Sequence, residues 1–112
     1  IRLGDMYHKG HTGVPQDYAA AVAWWRRAAN QGNTQAQVNL GYMYRLGQGV
    51  PQDDVQAHVW LSLAASRRSA VAEEDRKRII ETIGFIELKL TDNQRAMAQK
   101  RAREWKPRPE RQ

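Results

Sequence analysis

One passage occurs twice in this chain. Leu3-Gly4-Asp5-Met6-Tyr7 returns 37 residues later as Leu40-Gly41-Tyr42-Met43-Tyr44, and Gly13-Val14-Pro15-Gln16-Asp17 returns 36 residues later as Gly49-Val50-Pro51-Gln52-Asp53. The first copy therefore holds one extra residue in its turn, at His11 or Thr12. Beyond the turn the register is kept: Ala21, Trp24, Ala28 and Ala29 align with Ala57, Trp60, Ala64 and Ala65, and Ala36 aligns with Ala72. Self-similarity at this period marks a solenoid of helical hairpins, in which each hairpin buries its apolar face only against its neighbours. The expected fold class is all-α, an α/α superhelix.

Local signals divide the repeat into helices. Pro15 holds the chain extended ahead of Asp17, a residue able to bond free amides, so a helix starts at 17. Ala21, Trp24, Trp25 and Ala28 fall at i, i+3, i+4 and i+7, a core-facing stripe. Gln31-Gly32-Asn33 closes that helix and caps the next, and the shortness of the link makes the two antiparallel neighbours. Ala36, Leu40, Met43 and Tyr44 form the second stripe. Gly41 sits among them as a packing residue, because glycine inside a helix costs about 1 kcal/mol against alanine unless close helix approach recovers it. Gly47 and Gly49 then turn the chain, and Asp53 with Gln56 opens a helix bearing Ala57, Trp60, Leu61 and Ala64. The expected helices are 17–31, 33–47, 53–66, 70–90 and 92–105, preceded by a partial helix at 1–9 and stacked as a right-handed superhelical fragment.

Read together, Ala36, Leu40-Gly41, Tyr44, Gly47-x-Gly49-Val50, Asp53, Ala57, Trp60 and Ala64-Ala65 resemble the Sel1-like repeat, a relative of the tetratricopeptide repeat, over roughly residues 3–72. The resemblance implies an α/α superhelix of paired helices and a role as a scaffold that holds other proteins together.

After Ala65 the copy decays. Ser66-Arg67-Arg68-Ser69 answers Asn30-Gln31-Gly32-Asn33 without a glycine. Residues 70–90 still read as helix, with Ala72, Ile79, Ile83, Ile86 and Leu90 on one side. Thr91 and Gln94 form a capping box for a last helix with Ala98, Ala102 and Trp105, and Pro107 and Pro109 end it. This pair resembles the C-terminal cap of many bacterial Sel1-like proteins, and a polar outer face is what a capping unit needs. The expected division is repeats over 1–72, the first truncated at its N-terminus, capping helices over 73–106 and a disordered tail over 107–112.

The net charge of +6 is unevenly placed: residues 1–66 hold five Lys/Arg against four Asp/Glu, and residues 67–112 hold thirteen against eight. Arg67, Arg68, Lys77, Arg95, Arg101 and Arg103 could face phosphates, which makes nucleic-acid or anionic-surface binding the alternative function. Glu73, Glu74, Asp75 and Glu104 interrupt that set, and no base-reading motif accompanies it. With no cysteine, disulfides and thiolate metal sites are excluded and the compartment stays open. No apolar run approaches the roughly 18 residues of a membrane span, so the chain reads as soluble. Because the first Leu-Gly stands at positions 3 and 4, the chain reads as starting inside a helix, with Leu3, Met6, Tyr7 and part of the Trp24 face left as an apolar edge prone to self-association.

Catalytic and cofactor chemistry find no motif. Asp5, His8 and His11 are spaced at threes, but Gly10 ends their helix before His11, so no metal site is expected. His58 replaces Val22 on its helix and reads as a partly buried polar residue. Ser62, Ser66 and Ser69 have no His and acid arranged around them by any motif. Neither Gly10-x-x-Gly13 nor Gly47-x-Gly49 leads into a phosphate loop. Trp24, Trp25, Trp60 and Trp105 fall on stripes and read as core.

What remains is the face of the Leu-Gly-x-Met-Tyr helices, which the resemblance places on the concave side. Packing commits Leu40, Gly41 and Tyr44, leaving Gln35, Asn39, Tyr42 and Arg45, with Asp5 and His8 in the first copy, to meet a protein or peptide partner.

Overall fold

The computed structural model describes residues 18–67 and 71–107, which form five helices and, among the described residues, no strand. These are α1 (Tyr18–Asn30), α2 (Thr34–Leu46), α3 (Asp54–Ala65), α4 (Glu73–Lys89) and α5 (Asp92–Glu104). All five lie within the expected ranges. The partial helix expected at 1–9 and the last five residues of the tail lie outside the described residues.

The helix ends are made by the short-range chemistry that the sequence advertises. Asn33 is extended and its side chain accepts from the Ala36 N–H at 2.9 Å. Gly47 closes α2 with φ 72°, a left-handed conformation that glycine adopts without a Cβ clash, and its N–H reaches the Met43 carbonyl. Asp53 accepts from the Gln56 N–H at 3.1 Å. At α5 both bonds of the capping box are present: Gln94 N–H to the Thr91 hydroxyl at 3.1 Å, and Thr91 N–H to the Gln94 side chain at 2.9 Å.

Two apolar clusters meet across α3. The first joins Val22 and Trp25 of α1, Leu40 and Met43 of α2, Trp60 of α3 and Ala98 of α5. The second joins Ala57 and Leu61 of α3 to Ile79, Ile86 and Leu90 at α4. Eight residues of α3 are buried, spread around the whole helix rather than along one stripe, because α2, α4 and α5 all pack against it. Gly41 has the packing role expected of it. A methyl group there would lie 2.7 Å from Leu61 Cγ, so the absent side chain is what admits Leu61 to the α2–α3 contact.

Four expectations need correction. Trp24 is 60 % exposed, with the Arg27 guanidinium 5.9 Å from its ring centroid; its aligned mate Trp60 is only 8 % exposed. The difference lies in the neighbour: Trp60 is covered by α5, whose Trp105 meets it edge to face at 6.3 Å. Trp105 itself is half-buried. Ala72, aligned with the fully buried Ala36, is exposed, because α4 starts one residue after it and Ala72 is the N-cap. Finally, the outer face of the last two helices is not simply polar, since Ile80, Phe85, Leu88 and Met97 are exposed on it.

Candidate functional site

A groove of about 400 Å³ runs between α2 and α4. From α2 it receives Gln35, Asn39 and Tyr42, with Val38 between them, so three of the candidate partner-binding residues line one concavity. Helical spacing explains the grouping, because positions 35, 38, 39 and 42 share a face. The opposite wall is Asp75, Arg78 and Ile79 of α4, with Val71 and Ala72 where the chain enters that helix. Arg45, one turn beyond Tyr42, is half-buried and is not among the residues that line the groove. Asp5 and His8 lie outside the described residues.

The α2 wall is polar but internally committed. Gln35 Nε2 donates to Asn39 Oδ1 at 3.2 Å, an i,i+4 pair. The other end of the Asn39 amide, Nδ2, is buried without a partner. Tyr42 is half-buried and packs against the second apolar cluster, which fixes its ring while it still lines the groove. Thus the groove has an apolar base of Val38, Val71 and Ile79, amide and phenol groups on one side, and an acid and a base one helical turn apart on the other.

A polar cluster that the sequence does not announce joins α3 to α4. His58 is 2 % exposed, with its Nε2 2.8 Å from Glu87 Oε2 and its Nδ1 3.2 Å from the Ser62 hydroxyl. His58 and Ser62 are one turn apart on α3, and the fold brings the acid to them, with Glu87 arriving from α4. When the ring proton is on Nε2 it donates to Glu87, and Nδ1 accepts from Ser62. The arrangement satisfies a buried imidazole and ties α3 to α4. Gln37 is buried in a similar way and donates to the Ala29 carbonyl at 3.2 Å, linking α2 to α1.

The basic side chains are partly spent within the molecule. Arg67 donates to the Gly32 carbonyl at 2.9 Å, and Arg95 donates to the Glu87 carbonyl at 3.1 Å and pairs with Asp92. Lys77, Arg101 and Arg103 are exposed, and Arg68 lies outside the described residues. Among the described residues no three His, Cys, Asp or Glu side chains converge as metal ligands, and no helix is long and apolar enough to cross a membrane.

Stacked antiparallel helices with a groove between the second helices of neighbouring hairpins define a helical-repeat protein. The chain belongs to the Sel1 repeat family, whose profile matches residues 1–33 and 34–69. It is 43 % identical over 53 residues to the ERAD-associated E3 ubiquitin-protein ligase component HRD3A of Arabidopsis thaliana, covering 47 % of this chain and 8 % of that protein. It is 35 % identical over 74 residues to the chitin synthase regulator SKT5 of Malassezia restricta, covering 64 % of this chain and 5 % of that one. It is 39 % identical over 54 residues to protein sel-1 homolog 2 of Homo sapiens, covering 47 % and 8 %. The matched segments thus span less than a tenth of the length of each of these relatives. No solved structure matches it at a significant level. Sel1 repeat proteins generally mediate protein–protein interaction and generally act as non-catalytic adaptors.

Proposed function

We propose that this chain is a non-catalytic interaction module that holds an extended peptide segment of a partner protein in the groove between α2 and α4. The observation that carries this reading is the convergence of Gln35, Asn39 and Tyr42 on one concavity with an apolar base. Once Gln35 Nε2 is bonded to Asn39 Oδ1, the pair has a carbonyl acceptor on Gln35 and an N–H donor on Asn39 left over. That is the complement of a peptide group, which brings one N–H and one C=O. An unpartnered buried donor costs about 1–3 kcal/mol, and a ligand carbonyl meeting the Asn39 amide after a small rotation would remove that cost. Asp75 and Arg78 on the facing wall would then select charged side chains flanking the bound segment.

Panning a random peptide library on the chain tests the reading. Selected peptides should lose binding to Asn39→Ala and Tyr42→Ala variants that melt normally, and should keep it with Arg45→Ala, which alters a residue outside the groove. Equal binding to all three variants would remove the groove as the site.

A further inference from the structure

A second concavity, of about 550 Å³, opens between α3 and α5 and shares no lining residue with the groove between α2 and α4. Its apolar part is Val59 and Trp60 of α3 with Trp105 at the end of α5, the two indoles edge to face at 6.3 Å. Its charged part is Arg101, Glu104 and Lys106, all exposed. None of these three has a hydrogen-bond or ion-pair partner among the described residues, whereas Arg67, Arg76 and Arg95 each donate to a backbone carbonyl. The surrounding surface has the same sign. Beyond the Arg95–Asp92 pair, α5 and its exit carry Lys100, Arg101, Arg103 and Lys106, all exposed, against Glu104 alone.

We infer that this cleft is a second interaction site, which takes an acidic peptide segment of a partner protein and packs one aromatic side chain of it against Trp60 and Trp105. A third ring extends the edge-to-face contact that aromatic side chains favour. Val59 and Trp60 belong to the first apolar cluster, so the floor is held rigid before the segment arrives and less ordering is left to be done on binding. Arg101 and Lys106 line the same cleft and meet carboxylates next to the inserted ring, and Glu104 is the one group that opposes them. Other occupants fit less well. A second copy of the chain brings a net charge of +6 to a surface that is already basic. A single nucleic-acid strand calls for a track of cations and successive ring platforms, whereas the cleft offers one indole pair with an acid beside its cations. Val59 and Trp60 are buried at the floor, out of reach of a flat lipid surface.

Fluorescence anisotropy with a labelled decapeptide of Asp and Glu carrying one central Phe decides it, at low salt and with thermal melting as the check on folding. The peptide should bind, and replacing its Phe by Ala should weaken binding by roughly ten- to a hundredfold, the loss of one buried aromatic side chain. Arg101→Glu and Lys106→Glu should each weaken it by roughly two- to twentyfold, and Glu104→Lys should strengthen it by a similar factor. Lys100→Glu changes the net charge as much as Lys106→Glu but lies outside the cleft, so it should weaken binding less. Asn39→Ala and Tyr42→Ala should leave this binding unchanged, which separates the cleft from the groove between α2 and α4. The inference is overturned if the peptide does not bind, or if it binds as well with Ala in place of Phe. Equal weakening by Lys100→Glu and Lys106→Glu overturns it too, since that describes plain attraction to a basic surface. So does tighter binding of a labelled oligothymidylate that Lys106→Glu abolishes, which makes the cleft a nucleic-acid site, or a sedimenting dimer that Lys106→Glu dissociates.

Discussion

Two glycines in the interior of helices show how position, not residue type, sets the sign of a substitution. At Gly41 an added methyl group would stand 2.7 and 2.8 Å from Leu61 Cγ and Cδ2, and Leu61 is fully buried, so it has no room to retreat. Overpacking of this kind costs about 1–3 kcal/mol, more than the roughly 1 kcal/mol that alanine returns in helix propensity. Gly41→Ala should therefore lower stability in urea titration. Gly84→Ala should raise it by up to about 1 kcal/mol, because nothing stands within 4 Å of the added group. A lower midpoint for Gly84→Ala would contradict this. The repeat makes Gly41 legible in the sequence, since Gly4 stands in the matching place. Nothing marks Gly84, which lies where the repeat has decayed. His58 and Glu87 are illegible for the same reason: they are 29 residues apart, and no register connects the decayed copy to the intact one.

At the scale of the element, helix ends were legible because their determinants lie within four residues of one another, and every described helix falls inside its expected range. Faces were legible only where the neighbour could be inferred. Trp24 and Trp60 occupy the same angular position, and periodicity assigns them the same fate, but α5 covers Trp60 and leaves Trp24 60 % exposed. The groove was half legible in the same sense. Its α2 wall followed from which repeat positions are committed to packing, whereas Asp75 and Arg78 on the facing wall could not be placed before the course of α4 was known. The capping box of α5 gives a direct test of the local determinants. Thr91→Ala removes the bond to the Gln94 N–H and should cost about 0.5–2 kcal/mol in chemical denaturation, while Thr91→Asn or Thr91→Ser should keep most of it. Equal stability of Thr91→Ala and wild type would mean that tertiary packing alone sets the start of α5.

For the whole molecule the decisive element is α3, because each of the two apolar clusters includes residues from it. Repeat arrays are stabilised by nearest-neighbour contacts and can in principle lose terminal helices one at a time. Here α5 is packed back onto α3 rather than onto α4 and contributes Ala98 to the first cluster, while α4 closes the second against α3, so both of the last two helices are anchored on α3. His58 on α3 and Glu87 on α4 reinforce the junction with a buried polar contact. This geometry favours one cooperative transition over stepwise fraying. The test is a pair of small truncations on opposite sides of α3, chosen to leave the marginal stability of a small domain intact. Val22→Ala in the first cluster should cost about 1–2 kcal/mol, and Ile86→Val in the second about 0.5–1.5 kcal/mol. If the two clusters unfold as one unit, the double variant should lose the sum of the two costs to within about 0.5 kcal/mol, with circular dichroism and tryptophan fluorescence following a single transition. Amide exchange should then be slowest in α3, the helix that all routes to opening must release. If Ile86→Val instead produces an early transition seen by circular dichroism but not by the fluorescence of Trp25 and Trp60, α4 unfolds on its own and α3 is not the hub that the packing describes.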